Sequence, residues 1–294
     1  MFTVNLDNKK KNHFAYIVKE NLLEKKDIDC IKNNFPNELF NKIEQKYINP
    51  EEGRTNIQYN NKDFRNFIKQ DEKWNELSLK LCSGEFATSL IKIFREEIKE
   101  QIIDNIDIDR AHFSINTNSY WDMGDNNLNL YNRIIQILKI KFNKQFIFLK
   151  KFILGLKNAP LIIIDFQVCV GRSGYKLKPH IDGRNKLMSI LFYLNKVNDE
   201  DNNSISNLEL YENDNTKDPL NYIGIIPDQE FNKFQSIEVE PNKLVVLLNG
   251  NNAFHGVEAW NSKNKREFIY VTYSVIGEEN IWKTNKIVDK KNSE

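Results

Sequence analysis

The chain is poor in cysteine, histidine, net charge and long apolar runs. Its 294 residues include three cysteines, Cys30, Cys82 and Cys169. They are far apart, odd in number and without CxxC spacing, which argues against a disulfide framework or a zinc site and for free thiols in a reducing cytoplasm. The 42 basic and 41 acidic residues leave a formal net charge of +1. No global field then recruits nucleic acid or a membrane surface, and neither is expected as a partner. No stretch approaches the about 18 apolar residues of a membrane span. The N-terminus, MFTVNLDNKKKNHF, has no apolar segment of the kind that marks a secretory signal. The expected location is cytoplasmic, and no internal repeat is present.

What is there is a globular composition, 40% hydrophobic and 28% charged, with ample length for a core. Composition shifts near residue 155. Before it, Phe14–Val18 is a short strand candidate after a polar, frayed start. The segment NLLEKKDIDCIKNNFP carries Leu22, Leu23, Ile28 and Ile31 at helical spacing, and Pro36 closes it. Residues 37–73 show no clear period, and within them EEGR and NIQYNNKD read as loop. From Trp74 to about Ile103 an apolar stripe predicts helix, broken at Ser83-Gly84. Residues 104–130 read as loop; its Tyr120 and Trp121 either pack or line a substrate mouth. Residues 131–157 read as helix. His13 and His112 have no partner motif and read as structural or surface residues.

After Leu161 the pattern is β. LIIIDFQVCV, KLKPHID, KLMSILFYL and Leu208–Tyr211 are strands, and Pro179 marks an edge or a strand end. SIEVEPNKLVVLLN gives two more around a Pro-Asn turn, and AFHGVEAW and REFIYVTYSV the last two. A long polar insertion at 212–235, with a small strand at Tyr222–Ile226, reads as a mouth loop that carries substrate choice. About eight strands without intervening helices predict a double-sheet jelly roll, in an α+β to mainly β chain. The expected divisions are a mostly helical 1–154 packed on the barrel, a β core over 155–278, and a polar tail over 279–294.

Two segments carry the chemistry. His180-Ile181-Asp182 places an imidazole and a carboxylate two residues apart, on one face if the backbone is extended. His255 adds a second imidazole. Two nitrogens and one carboxylate are the facial triad of non-heme Fe(II) oxygenases, which leaves coordination positions open. An HxD tripeptide alone is common, and a lone His is usually a hydrogen-bonded core or surface residue. The chain has four His, however, and two fall here, each beside an apolar β-type run. Arg266 lies eleven residues after His255 and opens a further run.

This order resembles the Fe(II)/2-oxoglutarate-dependent oxygenases. GYKLKPHID, KLMSILFYLN, EVEPNKLVVLL, NNAFHGVEAW and KREFIYVTYSV follow the sequence of segments in the prolyl-hydroxylase-like branch, over about Leu161 to Ile276. The resemblance implies a double-stranded β-helix (jelly roll, cupin-like) core buttressed by N-terminal helices. It implies Fe(II) on His180, Asp182 and His255, and 2-oxoglutarate bound through its distal carboxylate by Arg266 and Tyr193, with Ser189 a weaker candidate. It implies decarboxylation of 2-oxoglutarate to succinate and CO2 coupled to C–H hydroxylation by dioxygen, with ascorbate as a supporting reductant. The substrate would be a peptidyl proline, an amino acid or a sugar- or lipid-linked small molecule. Three positions depart from the family pattern. Phe268 replaces a common Ser or Thr. Val170 stands where some members have a keto-acid-binding Tyr, a role left to Arg172, Tyr175 or Gln167. Ser206-Asn207 replaces a common Gly-Gly. Two other readings stay open: a non-catalytic jelly-roll binding module, and a cupin-like metalloenzyme independent of 2-oxoglutarate.

Overall fold

In the computed structural model, residues 9–46, 53–116, 159–196, 207–212, 231–259 and 264–283 are described. The expected helix over 131–157, Tyr120 and Trp121, the strand at Tyr222–Ile226 and the end of the tail lie outside them. The N-terminal half supplies strands β1 (Lys9–Lys11), β2 (Ala15–Lys19), β3 (Arg54–Gln58) and β4 (His112–Ile115). Its helices are α1 (Lys25–Asn33), α2 (Asn37–Lys46), α3 (Lys62–Gln70), α4 (Glu72–Leu81), α5 (Gly84–Ile93) and α6 (Arg95–Gln101). Side chains cap three of them. Asn61, Asp71 and Ser83 each accept from the backbone N–H three residues on, at 3.0 Å, satisfying a donor that the helix cannot.

The β half runs β5 (Leu161–Gly171), β6 (Leu177–His180), β7 (Lys186–Tyr193), β8 (Leu208–Tyr211), β9 (Lys233–Ile237), β10 (Lys243–Leu248), β11 (His255–Val257) and β12 (Arg266–Val275). One sheet is ordered β1-β2-β10-β7-β12-β5-β3, with β4 added parallel to β5; the other is β6-β11-β8-β9. Pairing within these eight strands is nested: β5 with β12, β6 with β11, β7 with β10, β8 with β9. The chain is thus mixed α+β with two multi-strand sheets.

Alternation along β7 explains how the layers bind. Met188, Ile190 and Phe192 join the helix residues Phe64, Trp74, Leu77, Phe86 and Leu90 in one core. Leu191 and Tyr193 join Leu208, Leu210 and Val245 in another, between the sheets. Each fully buried side chain of this size contributes about 1.5–3 kcal/mol. The Pro-Asn turn before β10 puts Asn242 in the left-handed region, at φ 65°. Its amide then accepts from Leu23 N and donates to Leu23 O, both at 2.8 Å, which fastens the N-terminal segment to the sheet.

Several expectations need correction. The stretch 37–73 holds α2, β3, α3 and the start of α4. α3 buries just Phe64 and Ile68, one pair four residues apart, and in β3 Ile57 alone is buried. β3 is an edge strand held by main-chain pairing to β5, so its side chains need no apolar alternation. The supposedly frayed start contains β1, and the loop around His112 contains β4. Among the described residues no helix is long and apolar enough to cross a membrane. The three cysteines are free.

Candidate metal centre

β6 is the edge of the smaller sheet, beside β11, and the register sets His180 opposite His255. Residues directly opposite share a face, and the two ring centroids lie 4.4 Å apart. The strands approach so closely that a Cβ at Gly256 would sit 2.6 Å from the Leu177 carbonyl oxygen. Only glycine fits there.

Asp182 reaches the same place by another route than the one expected. β6 ends at His180, so strand alternation does not carry Asp182. Contacts from the larger sheet do. Lys186 Nζ on β7 sits 3.0 Å from Oδ1, and Tyr270 on β12 donates to Oδ2 at 3.2 Å. Ser189 on β7 also donates to Oδ2, and Asn249 donates to Ser189 Oγ at 3.2 Å.

The imidazoles are set for metal. His180 Nδ1 is 2.9 Å from the Lys178 carbonyl oxygen, and His255 Nδ1 is 3.0 Å from that of Ala253. A carbonyl only accepts, so each Nδ1 carries the proton and each Nε2 keeps its lone pair. One donor atom from each of His180, Asp182 and His255 lies within 4.8 Å of the others, and His255 Nε2 is 4.0 Å from Asp182 Oδ2. Burial and the adjacent His255 pull His180 down to about 4, so it is neutral at pH 7. Burial alone would raise Asp182. The Lys186 ammonium, with the Ser189 hydrogen bond, instead holds it below the usual carboxylate range. Burial and the Asp182 charge push Tyr270 up to about 12, keeping it a proton donor. Two imidazole nitrogens and one carboxylate oxygen fit a borderline divalent metal and leave coordination positions open.

A cavity of about 160 Å³ between the sheets holds this cluster together with Arg54, Tyr175, Arg266 and Phe268. Arg266 is 1% exposed, and its Nη2 donates to Tyr193 Oη at 3.1 Å. Its guanidinium carbon lies 5.1 Å from the Tyr193 ring centroid and 5.7 Å from that of Phe268. Phe268, one of the residues that depart from the family pattern, thus lays its ring against this cation. Ser189 is placed differently from Tyr193, at the Asp182 carboxylate and not at Arg266. Of the three keto-acid candidates, Tyr175 lines the cavity, Gln167 accepts from Asn56 and Arg172 donates to Thr55. Val170 faces the helix-side core. Lys186, Tyr270 and Arg54 were not foreseen. The signals available were a lysine four residues after Asp182 and a tyrosine four after Arg266. Arg54 had none beyond a lone arginine in polar sequence.

The arrangement is a two-sheet β fold enclosing a three-donor site that fits a divalent metal. No protein-family model and no curated protein matches the chain. Solved structures similar to it include 2OG-Fe(II) oxygenases and prolyl hydroxylases. AviO1 from Streptomyces viridochromogenes Tue57 is 9% identical, with 96% of this chain and 100% of that one covered, at a TM-score of 0.47. A prolyl hydroxylase from Trichoplax adhaerens, solved with a hypoxia inducible factor peptide fragment, is 12% identical over 88% and 83%, at 0.41. An oxidoreductase of the 2OG-Fe(II) oxygenase family from Burkholderia pseudomallei is 13% identical over 42% of this chain and 48% of that one, about half its length, at 0.27. At these identities and scores the likeness carries no argument about activity, which stands on the residues of the site.

Proposed function

We propose that the chain is an Fe(II)- and 2-oxoglutarate-dependent dioxygenase that hydroxylates a C–H bond of a peptidyl proline, an amino acid or a sugar- or lipid-linked small molecule. The nested strand pairing supports reading its core as a double-stranded β-helix, or jelly roll. His180, Asp182 and His255 would hold the iron. When bound, the metal supplies dioxygen activation coupled to decarboxylation of 2-oxoglutarate to succinate and CO2. The protein's part is to bind, orient and exclude water. Arg266 and the Tyr193 hydroxyl receive the distal carboxylate, a charge-assisted pairing of the strong kind. Lys186, Ser189 and Tyr270 fix the Asp182 carboxylate. Leu177, Leu191, Leu208, Val257 and Phe268 contribute the apolar part of the cavity wall.

The observation that carries this reading is the pair of imidazoles, each with Nδ1 tied to a backbone carbonyl and Nε2 left to coordinate, in one cavity with a buried arginine. One observation favours a second reading, a binding module without metal: Lys186 pairs with Asp182 and supplies the positive charge a metal would bring. That pair uses Oδ1, however, while Oδ2, the oxygen near His255, is held by hydroxyls of Ser189 and Tyr270 and not by a cation. Anaerobic addition of Fe(II) and 2-oxoglutarate should give a visible charge-transfer band, and air should then yield succinate. Absence of both would leave the binding module as the better account.

A further inference from the structure

The cavity contains a second arginine that the reading above does not use. Arg54 and Arg266 stand on strands that flank β5, and both are in register with the same residue, Gly171. Residues in register across neighbouring strands point to one face. The glycine between them contributes no side chain, so the two guanidinium groups look into the same space. Strand spacing of about 4.8 Å puts their Cα atoms roughly 10 Å apart. Each has its own phenol: Arg54 Nη1 donates to Tyr175 Oη at 3.3 Å, Arg266 Nη2 to Tyr193 Oη at 3.1 Å. The Arg54–Tyr175 pairing is built in by the backbone. Gly53, at φ 56°, lets β3 begin so near Tyr175 that a Cβ there would lie 3.1 Å from the Tyr175 Cα.

Charge points the same way. Among the described residues, the charged side chains lining the cavity are Arg54, Lys186 and Arg266 against Asp182, two positive charges in excess. A divalent metal and dianionic 2-oxoglutarate cancel, so the excess persists when both are bound. Of that excess, Lys186 meeting Asp182 at 3.0 Å and Arg266 meeting the distal carboxylate leave one charge at the metal end and one on Arg54. Among the described residues no carboxylate pairs with Arg54. Arg54 is half-buried, and taking a guanidinium partly out of water beside a phenol is costly unless an anion joins it.

We propose that the prime substrate carries an oxyanion, a carboxylate or a phosphate, and that Arg54 with Tyr175 receives it. This rests on the oxygenase reading and narrows its substrate class to anionic molecules. Peptidyl prolines without a neighbouring acidic group, and neutral sugars, fall outside it.

The test uses full-length protein loaded with Mn(II), which binds without turnover. Calorimetry first measures 2-oxoglutarate. The saturated protein is then titrated with inorganic phosphate, N-acetylglycine and the neutral N-acetylglycinamide. Wild type should favour an anionic probe over the amide by roughly tenfold or more. Arg54→Gln should lose that preference while keeping 2-oxoglutarate affinity within about threefold, and Arg54→Lys, which keeps the charge, should recover part of it. Whichever of phosphate and N-acetylglycine binds more tightly identifies the kind of oxyanion. Two results would overturn the proposal: no anion preference in wild type, or a 2-oxoglutarate affinity that falls about tenfold in Arg54→Gln, which would assign Arg54 to the cosubstrate. Failure of the oxygenase reading would look different, as no Mn(II)-dependent binding of 2-oxoglutarate by wild type, and would remove both.

Discussion

Gly256→Ala tests how far the metal site depends on backbone contact. The added Cβ would lie 2.6 Å from Leu177 O, 3.3 Å from Lys178 C and 3.3 Å from Pro179 N. Ordinary contact begins at 3.4 Å, so the nearest approach is short by 0.8 Å. All three atoms belong to the β6 main chain, so no rotamer change relieves the clash and the strands must part. Overpacking of this kind costs about 1–3 kcal/mol, which in a chain of this size lowers Tm by about 2–10 °C. The larger effect falls on the metal, because the opening separates the strand bearing His180 from the strand bearing His255. Disturbing what orients a metal ligand costs about 10–100-fold in affinity. Thermal unfolding of the metal-free protein and titration with Fe(II) under argon read the two effects separately. A variant that unfolds at the wild-type temperature would show that the strands are not so close. One that is destabilised yet binds metal as tightly as wild type would show that the strand contact does not hold the imidazoles together.

Three further outcomes follow from the site. Ser189→Ala removes a hydrogen bond to Asp182 and should weaken metal binding by about tenfold, with 2-oxoglutarate affinity at saturating metal unchanged. A loss of 2-oxoglutarate affinity instead would return Ser189 to the cosubstrate. Arg266→Ala should raise the 2-oxoglutarate needed to develop the charge-transfer band by about 10–100-fold, and an unchanged requirement would refute its role. Acid should destabilise the metal-free fold. The folded pKa of His180, about 4, lies below the ordinary 6.5, so the unfolded chain takes the proton first. That stability is complete above 6.5 and is lost as pH falls towards 4. Melting curves across this range should fall less steeply for His180→Phe, and parallel curves would count against the shift.

The site was legible where its chemistry is compressed into short segments. His180, His255 and Arg266 sit at strand ends, Asp182 follows two residues after His180, and the apolar runs beside them form the largely buried β7, β10 and β12. The delivery of Asp182 was not legible, because it depends on Lys186, Ser189 and Tyr270 meeting from β7 and β12, a result of sheet order. Nor was Arg54. A strand held at a sheet edge by main-chain bonds leaves little periodicity, and RTNIQ contains one buried residue. α2 and α3 escaped notice for a related reason: one narrow stripe is enough for a helix lying over a broad sheet.

The clasp between Asn242 and Leu23 spans 219 residues, and β2 finds its partner β10 across a comparable distance. During synthesis β2 therefore leaves the ribosome long before β10 exists, with the short β1 as its neighbour. Phe14, Tyr16 and Ile17, all buried in the fold, wait for β10 to be made before that side of β2 is covered. Closure by so distant a segment is slow and comes late, and the waiting strand is a natural client for a chaperone. If it were clipped away, β10 would present a bare edge of the kind on which neighbouring molecules aggregate.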